Sequence, residues 1–322
     1  MKVQQSEQII NPFGGIQFVL KQIKEHEIDN FINEQLGSRG SDKVYGVSDG
    51  LLAIHYSHLC GGSCIEDINK LNEHMGYHPG LALPSSDTAL RIMDELKAEN
   101  TIIQNGEVTH TFSHNSKLNE ALVKLAIKAC RLVPGDTNTL DFDNVIMENE
   151  KEDGAKTYKM TTGYQPAIAA IGRQIVFIEG RGGNTPAAYR MDETLKKCFD
   201  CLKQNDVHIA HFRSDSAAYQ KVVVEAVEQS STHFYIRIDD SQNLLFFPGC
   251  QYRLSLCGCH QLYIVEWIKQ LFFQKGAIEN TVMRVKKFLF DFIILPAKWI
   301  KTGRQWIYKI FTTRTCYQPL FE

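Results

Sequence analysis

The hydrophobic pattern of the chain changes its period near residue 138. Before that point, apolar residues recur at the spacing of amphipathic helices, and glycine and proline residues separate the periodic runs. The pattern predicts one or two helices over residues 11–38, and further helices over residues 50–59, 63–76, 84–100 and 117–133. We therefore expect an all-helical region over residues 1–135.

Beyond residue 138 the pattern takes the two-residue period of β-strands. It predicts strands over residues 139–147, 158–162, 167–171 and 174–179, then a helix (187–204), a strand (207–212), a helix (216–229) and a strand (232–238). Strands first, then alternating helices and strands, indicate an α/β sheet that begins as a meander. This order is that of a ribonuclease-H-like core.

The last part of the chain is less regular. Residues 246–261 have no clear period, a long helical pattern returns over residues 263–292, and the remainder is aromatic and basic. The pattern divides the chain into a helical region (1–135), an α/β core (136–292) and a divergent tail (293–322).

The composition is that of an ordinary globular protein, with 322 residues of which 43% are hydrophobic. A sizeable core can be buried. No apolar run approaches the ~20 residues of a membrane helix, and the first residues lack the apolar stretch of a signal peptide. We expect a cytoplasmic protein, without a membrane segment, whose nine scattered cysteines are reduced thiols.

Charge is distributed unevenly along the chain. The net charge of −2 argues weakly against a nucleic-acid binder, but residues 246–322 carry 11 Lys/Arg and 4 Asp/Glu, so that this part has a net charge of +7. Local phosphate contacts, and not the total charge, determine DNA binding. The C-terminal part therefore carries the positive charge that phosphate binding requires.

Acidic side chains mark the places where two predicted strands end. Asp141 and Asp143 share one face of the first strand, because successive side chains of a strand alternate between faces. Asp215 ends a later strand just before a helix, where it has an alternative role as the helix N-cap. Glu279 lies in the predicted C-terminal helix. Two aspartates from strands and a glutamate from a helix are the ingredients of a two-metal phosphoryl-transfer site.

Cationic residues flank Glu279 at helical spacing. Lys275, Glu279 and Lys286 follow Phe272 by 3, 7 and 14 positions, which places all of them on one stripe of an α-helix. A carboxylate between two cations suits a phosphodiester. The alternative is a solvated helix face with ordinary ion pairs.

Four segments resemble the DDE transposases of the insertion-sequence-4 superfamily, particularly the insertion-sequence-1380 group. They are residues 139–146 (TLDFDNVI), 163–166 (GYQP), 213–216 (RSDS) and 274–280 (QKGAIEN). The superfamily signature is Tyr, two residues, Arg, three residues, Glu, six residues, Lys. This chain has Phe and Lys at the first two positions, and the lysine keeps the charge of arginine but loses its planar, bidentate fork.

The resemblance implies Mg²⁺ or Mn²⁺ bound by Asp143, Asp215 and Glu279 as the catalytic and metal-ligating residues. Asp143 is favoured as the first ligand because a polar residue follows it at the exit of the strand, and Asp141 is the alternative. Carboxylate oxygens suit these hard cations. The activity implied is DNA strand cleavage and strand transfer.

The implied partner is double-stranded DNA, namely the terminal inverted repeats of the element and a target DNA, with a homodimer in the active complex. Residues 84–91 begin a capped helix of the kind that a helix-turn-helix reader uses, although plain helical packing also explains it. The residues predicted to contact DNA are Arg91, Ser86, Thr88, Arg213, Lys275 and Lys286.

The chain differs from the family in one respect, and this difference leaves open whether the chain is catalytically active. Members carry a strand-rich insertion between the second Asp and the Glu, but only 64 positions separate Asp215 from Glu279 here. This shortening indicates a degenerate C-terminal part. The alternatives are an inactive transposase remnant that only binds DNA and a nuclease that acts on other substrates.

Overall fold

Lys97–Tyr263 form one structural unit, and Met1–Leu96 together with Ile264–Glu322 form another. The computed structural model describes residues 10–75, 81, 83–237, 256–276, 278, 283–302, 305–312, 317 and 320. No helix in these described residues is long and apolar enough to cross a membrane.

Five helices occur among the described residues of the N-terminal part of the helical unit. Apolar residues at helical spacing, such as Ile16, Val19 and Ile23, are buried and hold the bundle together. The predicted buried helix over residues 50–59 is confirmed, because most of the side chains of this helix are buried. In chain order the helices are α1 (Ile16–Glu25), α2 (Ile28–Leu36), α3 (Val47–Leu59), α4 (Asp67–Met75) and α5 (Ser86–Glu95).

The second unit is an α/β fold. Its elements in chain order are β1 (Thr101–Asn105), β2 (Val108–Ser113), α6 (Ser116–Lys128), β3 (Thr137–Asn144), β4 (Met147–Glu148), β5 (Ala155–Lys156), β6 (Thr162–Tyr164), β7 (Ala167–Ile171), β8 (Gln174–Arg181), α7 (Met191–Gln204), β9 (His208–Ser214), a 3-10 turn (Ser216–Ala218), α8 (Lys221–Glu228) and β10 (Ser231–Ile236).

The main sheet has the strand order β1-β2-β8-β7-β3-β9-β10. Strands β3, β7 and β8 form an antiparallel meander, whereas β9 and β10 join the other side of β3 in parallel. This order and these directions make the core ribonuclease-H-like, as the sequence predicted. The short strands β4, β5 and β6 form a separate small sheet between β3 and β7 in the chain.

Large aromatic side chains fill one face of the central strands. Phe142 of β3 and Phe212 of β9 are almost fully buried, and Phe199 of α7 packs against Phe212 with ring centroids 6.1 Å apart. The side chains of Asp141 and Asp143 alternate with Phe142 and therefore lie on the opposite face.

Two features of this unit differ from the sequence prediction. The hairpin β1–β2 lies inside the region predicted to be all-helical, and β2 pairs with β8, so the sheet unit begins at Lys97 and not after residue 135. The predicted strand over residues 158–162 is also wrong. Met160 has a left-handed backbone (φ 66°) and its N–H donates to the Thr157 carbonyl, so the chain turns there.

The C-terminal elements include α9 (Leu256–Gln274), α10 (Val285–Phe288), a π-helical turn (Leu289–Ile293), β11 (Ala297–Thr302) and β12 (Gln305–Ile310). Phe272 packs edge-on against Phe18 of α1, with ring centroids 4.4 Å apart. Gly15 is required beside this cluster, because a Cβ there would lie 1.5 Å from the carbonyl oxygen of Phe292. The residues predicted as an irregular tail form the antiparallel hairpin β11–β12.

The single long helix predicted over residues 263–292 is wrong. Helix α9 ends at Gln274, and Gly276 then takes a left-handed backbone (φ 71°) while its N–H donates to the Phe273 carbonyl. A glycine in this conformation is the usual stop signal of a helix. Phe272, Lys275 and Lys286 consequently do not share one helical stripe.

Candidate active site

Asp143 and Asp215 lie at the same end of two neighbouring strands. β3 and β9 are parallel, and Phe142 pairs with Ser214, so the next residue of each chain segment is an aspartate. The carboxyl ends of parallel strands meet at one edge of a sheet, which is where α/β folds place their sites. The sheet register therefore brings together two of the three predicted carboxylates.

The end of β3 holds Asp143 through backbone contacts. The N–H of Asn144 donates to Asp143 Oδ1 at 2.7 Å, and the N–H of Val145 donates to the carbonyl of Pro166 at 3.0 Å. The side-chain Nδ2 of Asn144 reaches the carbonyl of Gln165 at 3.4 Å. Asn144 still pairs with Ala167 of β7 and ends the strand, and the Asp143 side chain next to it is exposed.

Asp215 is held at the start of the 3-10 turn that follows β9. Its Oδ1 accepts the N–H of Ala217 at 3.1 Å, so the predicted capping role is present. The hydroxyl of Ser214 donates to the Phe142 carbonyl at 2.9 Å and ties the two strand ends together. Among the described residues, neither Asp143 nor Asp215 uses its second carboxylate oxygen in a hydrogen bond. Capping and metal binding are thus compatible.

The two carboxylates influence each other electrostatically. Partial loss of solvation raises the pKa of Asp143 above its usual value, the hydrogen bond from the Asn144 backbone lowers it, and the charge of Asp215 raises it again. Like charges at one site favour protonation of one partner. A bound divalent cation would remove this repulsion.

Asp141 is engaged elsewhere. Arg213 donates through Nε to Asp141 Oδ1 at 2.6 Å and through Nη2 to Oδ2 at 2.7 Å. Both carboxylate oxygens therefore have a cationic partner, and the ion pair raises the pKa of Arg213. Of the two acids on this face of β3, Asp143 has the less occupied carboxylate.

The chemistry of the donors fits a hard divalent cation. Asp143 and Asp215 offer carboxylate oxygens at adjacent strand ends, which is the ligand type that Mg²⁺ and Mn²⁺ prefer. No group of three or more metal-ligating side chains occurs among the residues that the structure describes. Glu279, the predicted third ligand, lies outside the described residues.

Comparisons with known proteins find similarity to transposase structures. No protein-family model and no curated protein matches the chain. The Drosophila P element transposase strand transfer complex matches over 66% of this chain and 42% of that chain, with 16% identity and a TM-score of 0.29. The Mos1 transposase paired-end complex with left transposon end matches over 62% and 60%, with 11% identity and a TM-score of 0.22. The Mos1 strand transfer complex matches over 62% and 59%, with 11% identity and a TM-score of 0.20. The chain thus spans less than two thirds of each of these transposase chains.

The predicted DNA-contacting residues of α5 differ in their availability. Ser86 is only 5% exposed and its hydroxyl accepts a hydrogen bond from Asn69 at 2.8 Å, which removes it from the predicted contact set. Arg91 is exposed, and its Nη2 lies 3.3 Å from Thr88 Oγ1. Arg91 and Thr88 therefore form a local pair at the surface of the helix.

The two predicted DNA-contacting lysines are exposed but belong to different elements. Lys275 directly follows α9, whereas Lys286 lies in α10. Their arrangement is not the continuous helix face that the signature predicted. Both remain available to phosphate as separate surface cations.

Several polar residues that support the strand ends escaped the sequence prediction. Asn144 and Ser214 stand next to the two aspartates, and polar residues at these positions were the available signal. Glu179 and Arg181 are buried at the end of β8, although residues 180–183 were interpreted as a turn. Their opposite charges at a spacing of two indicate one face of a strand.

Proposed function

We propose that this chain is a DDE-type DNA transposase of the insertion-sequence-1380 group, which cuts and joins DNA at the ends of its own element. The observation that supports the proposal best is the position of Asp143 and Asp215 at adjacent strand ends of a ribonuclease-H-like sheet. Glu279 is the proposed third carboxylate. The proposed partners are the terminal inverted repeats, a target DNA and a second copy of the chain.

The carboxylates of Asp143 and Asp215 are the proposed ligands of Mg²⁺ or Mn²⁺. A pair of such cations, if held here, would supply activation of the attacking water or 3′-hydroxyl and stabilisation of the leaving oxygen. The backbone N–H groups of Asn144 and Ala217 each hold one carboxylate oxygen and thereby orient the other. Both aspartates are exposed residues at the strand ends.

Arg213 has a supporting role in this proposal. It neutralises Asp141, which would otherwise add a third negative charge beside Asp143 and repel DNA phosphate. Lys275, Lys286, Arg91 and Thr88 are the proposed phosphate contacts outside the sheet. Because such contacts are electrostatic, DNA binding should weaken as salt is added.

A second function is favoured by the course of the C-terminal segment. Helix α9 ends before Glu279, so the helical signature that would deliver the third carboxylate is interrupted. A transposase remnant that binds DNA without cutting it is the function consistent with this interruption.

Cleavage of a labelled duplex that carries the inverted repeats flanking the coding sequence separates the two functions. With Mg²⁺ or Mn²⁺, the wild type should cut the strand and join it to a target, whereas Asp143→Asn and Asp215→Asn should not. Asp200→Asn, an exposed aspartate of α7, is the matched control and should cut normally. Salt-sensitive binding without cleavage by the wild type would support the remnant, and cleavage without joining would identify a nuclease.

A further inference from the structure

A buried charged cluster lies at the end of β8. Glu179 is fully buried and Arg181 is 2% exposed, with Arg181 Nε 3.4 Å from Glu179 Oε2. Lys197 Nζ lies 2.7 Å from Glu179 Oε1, and the hydroxyl of Thr194 donates to Glu179 Oε2. A buried charge is tolerated only when it is paired and hydrogen-bonded. The cluster therefore fixes the Arg181 side chain in one position.

The guanidinium of Arg181 holds the loop between β8 and α7. Its Nη1 donates to the carbonyls of Ala187 and Tyr189, each at 3.2 Å. Its Nη2 donates to the hydroxyl of Thr194 in the first turn of α7. A planar group with five N–H donors can make all these contacts at once, which a lysine cannot.

This loop leads to Asp215. The carbonyl of Ala188, between the two carbonyls that Arg181 holds, accepts a hydrogen bond from Gln220 Nε2 at 2.9 Å. Gln220 Nε2 also donates to the carbonyl of Ala217 at 2.9 Å, and the Ala217 N–H donates to Asp215 Oδ1. Hydrogen bonds and the backbone of residues 187–189 thus connect the buried guanidinium to the second aspartate.

A second series of hydrogen bonds leads from Arg181 to Asp143. The Arg181 carbonyl accepts the N–H of Gln165 at 3.0 Å, and the Gln165 carbonyl accepts Asn144 Nδ2 at 3.4 Å. The N–H of Asn144 then donates to Asp143 Oδ1 at 2.7 Å. The guanidinium of Arg181 begins the first series, whereas the second begins at its backbone carbonyl, which any residue at position 181 would present.

We infer that Arg181 is a positioning residue for the Asp143 and Asp215 carboxylates. Its guanidinium places Asp215 through the 187–189 loop, Gln220 and Ala217, and its backbone carbonyl in β8 connects to Asp143 through Gln165 and Asn144. The inference rests on the proposed function, in which these carboxylates bind a divalent cation together. Substituting a residue that orients a metal ligand through hydrogen bonds typically changes the metal affinity about 10- to 100-fold.

The test compares Gln220→Ala, Arg181→Lys and the control Gln229→Ala in the full chain. Gln220 and Gln229 flank α8 at its two ends, and Gln229 has no role in either series. Two readouts are measured without DNA: Mn²⁺ affinity from the electron paramagnetic resonance signal of free Mn²⁺, and the exchange rates of the Ala217 and Asn144 amide hydrogens.

Gln220→Ala should weaken Mn²⁺ binding about 10-fold and speed exchange at Ala217 only. Arg181→Lys should weaken Mn²⁺ binding at least as much and speed exchange chiefly at Ala217, because the backbone carbonyl of residue 181 that leads to Asn144 is kept, while Gln229→Ala should match the wild type. Because Arg181→Lys disturbs a buried cluster and can unfold the unit, the partly exposed Gln220 provides the decisive variant.

Unchanged Mn²⁺ affinity in Gln220→Ala, with a wild type that binds Mn²⁺, would overturn the positioning role and leave the proposed function intact. A wild type that neither binds Mn²⁺ nor cleaves DNA would overturn the proposed function, and the positioning role with it.

Discussion

Arg213 and Asp141 form a bidentate ion pair across the parallel strands β9 and β3, with N–O distances of 2.6 and 2.7 Å. The pair lies two residues before the aspartates of the candidate site on each strand, with the Phe142–Ser214 pair in between. It gives the two acids of β3 different roles, since Asp141 balances a cation and Asp143 stands beside Asp215.

The strength of this ion pair can be measured by a double-mutant cycle. The side chains of Arg213 and Asp141 are 58% and 39% exposed, so solvent weakens their attraction. We predict that Asp141→Asn, Arg213→Gln and the double variant give a coupling free energy below about 1 kcal/mol in urea unfolding. A coupling of several kcal/mol would show that the pair is a major element of stability.

The raised pKa of Asp143 predicts how stability depends on pH without a divalent cation. A carboxyl whose pKa is higher in the folded chain stabilises the fold below its usual value near 3.8, and this contribution is lost as pH rises through the raised pKa. Asp143→Asn should therefore melt at a higher temperature than the wild type at neutral pH in the presence of a chelator. The difference should disappear in acid.

Asp200→Asn is the control for this experiment, because Asp200 is exposed on α7 and belongs to neither strand end. A neutral-pH melting temperature of Asp143→Asn at or below that of the wild type would contradict the electrostatic description. In a complementary measurement, Asp215→Asn should lower the pKa of Asp143 in carboxyl carbon NMR titrations, because one of its causes is removed.

Gly15 occupies a position in the helical unit that has no space for a side chain. A Cβ at this position would lie 1.5 Å from the Phe292 carbonyl oxygen, so Gly15→Ala must displace the backbone. We expect a loss of about 1–3 kcal/mol or more in the free energy of unfolding. Gly46→Ala is the control, because its Cβ would meet side-chain atoms no closer than 3.6 Å. Equal stability of the two variants would contradict the close approach.

Substitutions of two residues in helix α5, Arg91 and Ser86, should affect DNA binding differently. Arg91→Gln removes an exposed cation and should reduce the salt dependence of binding by about one phosphate contact. Ser86→Ala should leave the salt dependence unchanged and should instead lower the melting temperature, because the Ser86 hydroxyl is buried against Asn69. The same salt slope for Arg91→Gln and the wild type would exclude Arg91 from the interface.

The positions of Asp143 and Asp215 could be predicted from sequence, because strand alternation and a helix start are local patterns. The Asp141–Arg213 pair could not, because it depends on the register between β3 and β9, which shifts at a bulge between Asn138 and Thr139. A sequence alone does not fix which residues of distant strands face each other.

Other elements were missed because local signals conflicted. The hairpin β1–β2 is short and mostly exposed, so its pattern is weak beside the helices that flank it. At Gly276 the glycine was the available signal for a helix end, but the prediction followed the helical pattern across it. Arg181 is flanked by glycines, and these glycines suggested a turn. In the structure Arg181 is buried, with Glu179 as its ion-pair partner and Thr194 as its hydrogen-bond partner.

Mn²⁺ binding by four proteins tests the central claim most directly: the wild type, Asp141→Asn, Asp143→Asn and Asp215→Asn. We predict that Asp141→Asn binds Mn²⁺ like the wild type. Asp143→Asn and Asp215→Asn should each lose more Mn²⁺ affinity than the loss of about 10-fold expected for Gln220→Ala. Equal losses in Asp141→Asn and Asp143→Asn, or unchanged binding in all three variants, would contradict a metal site formed by Asp143 and Asp215.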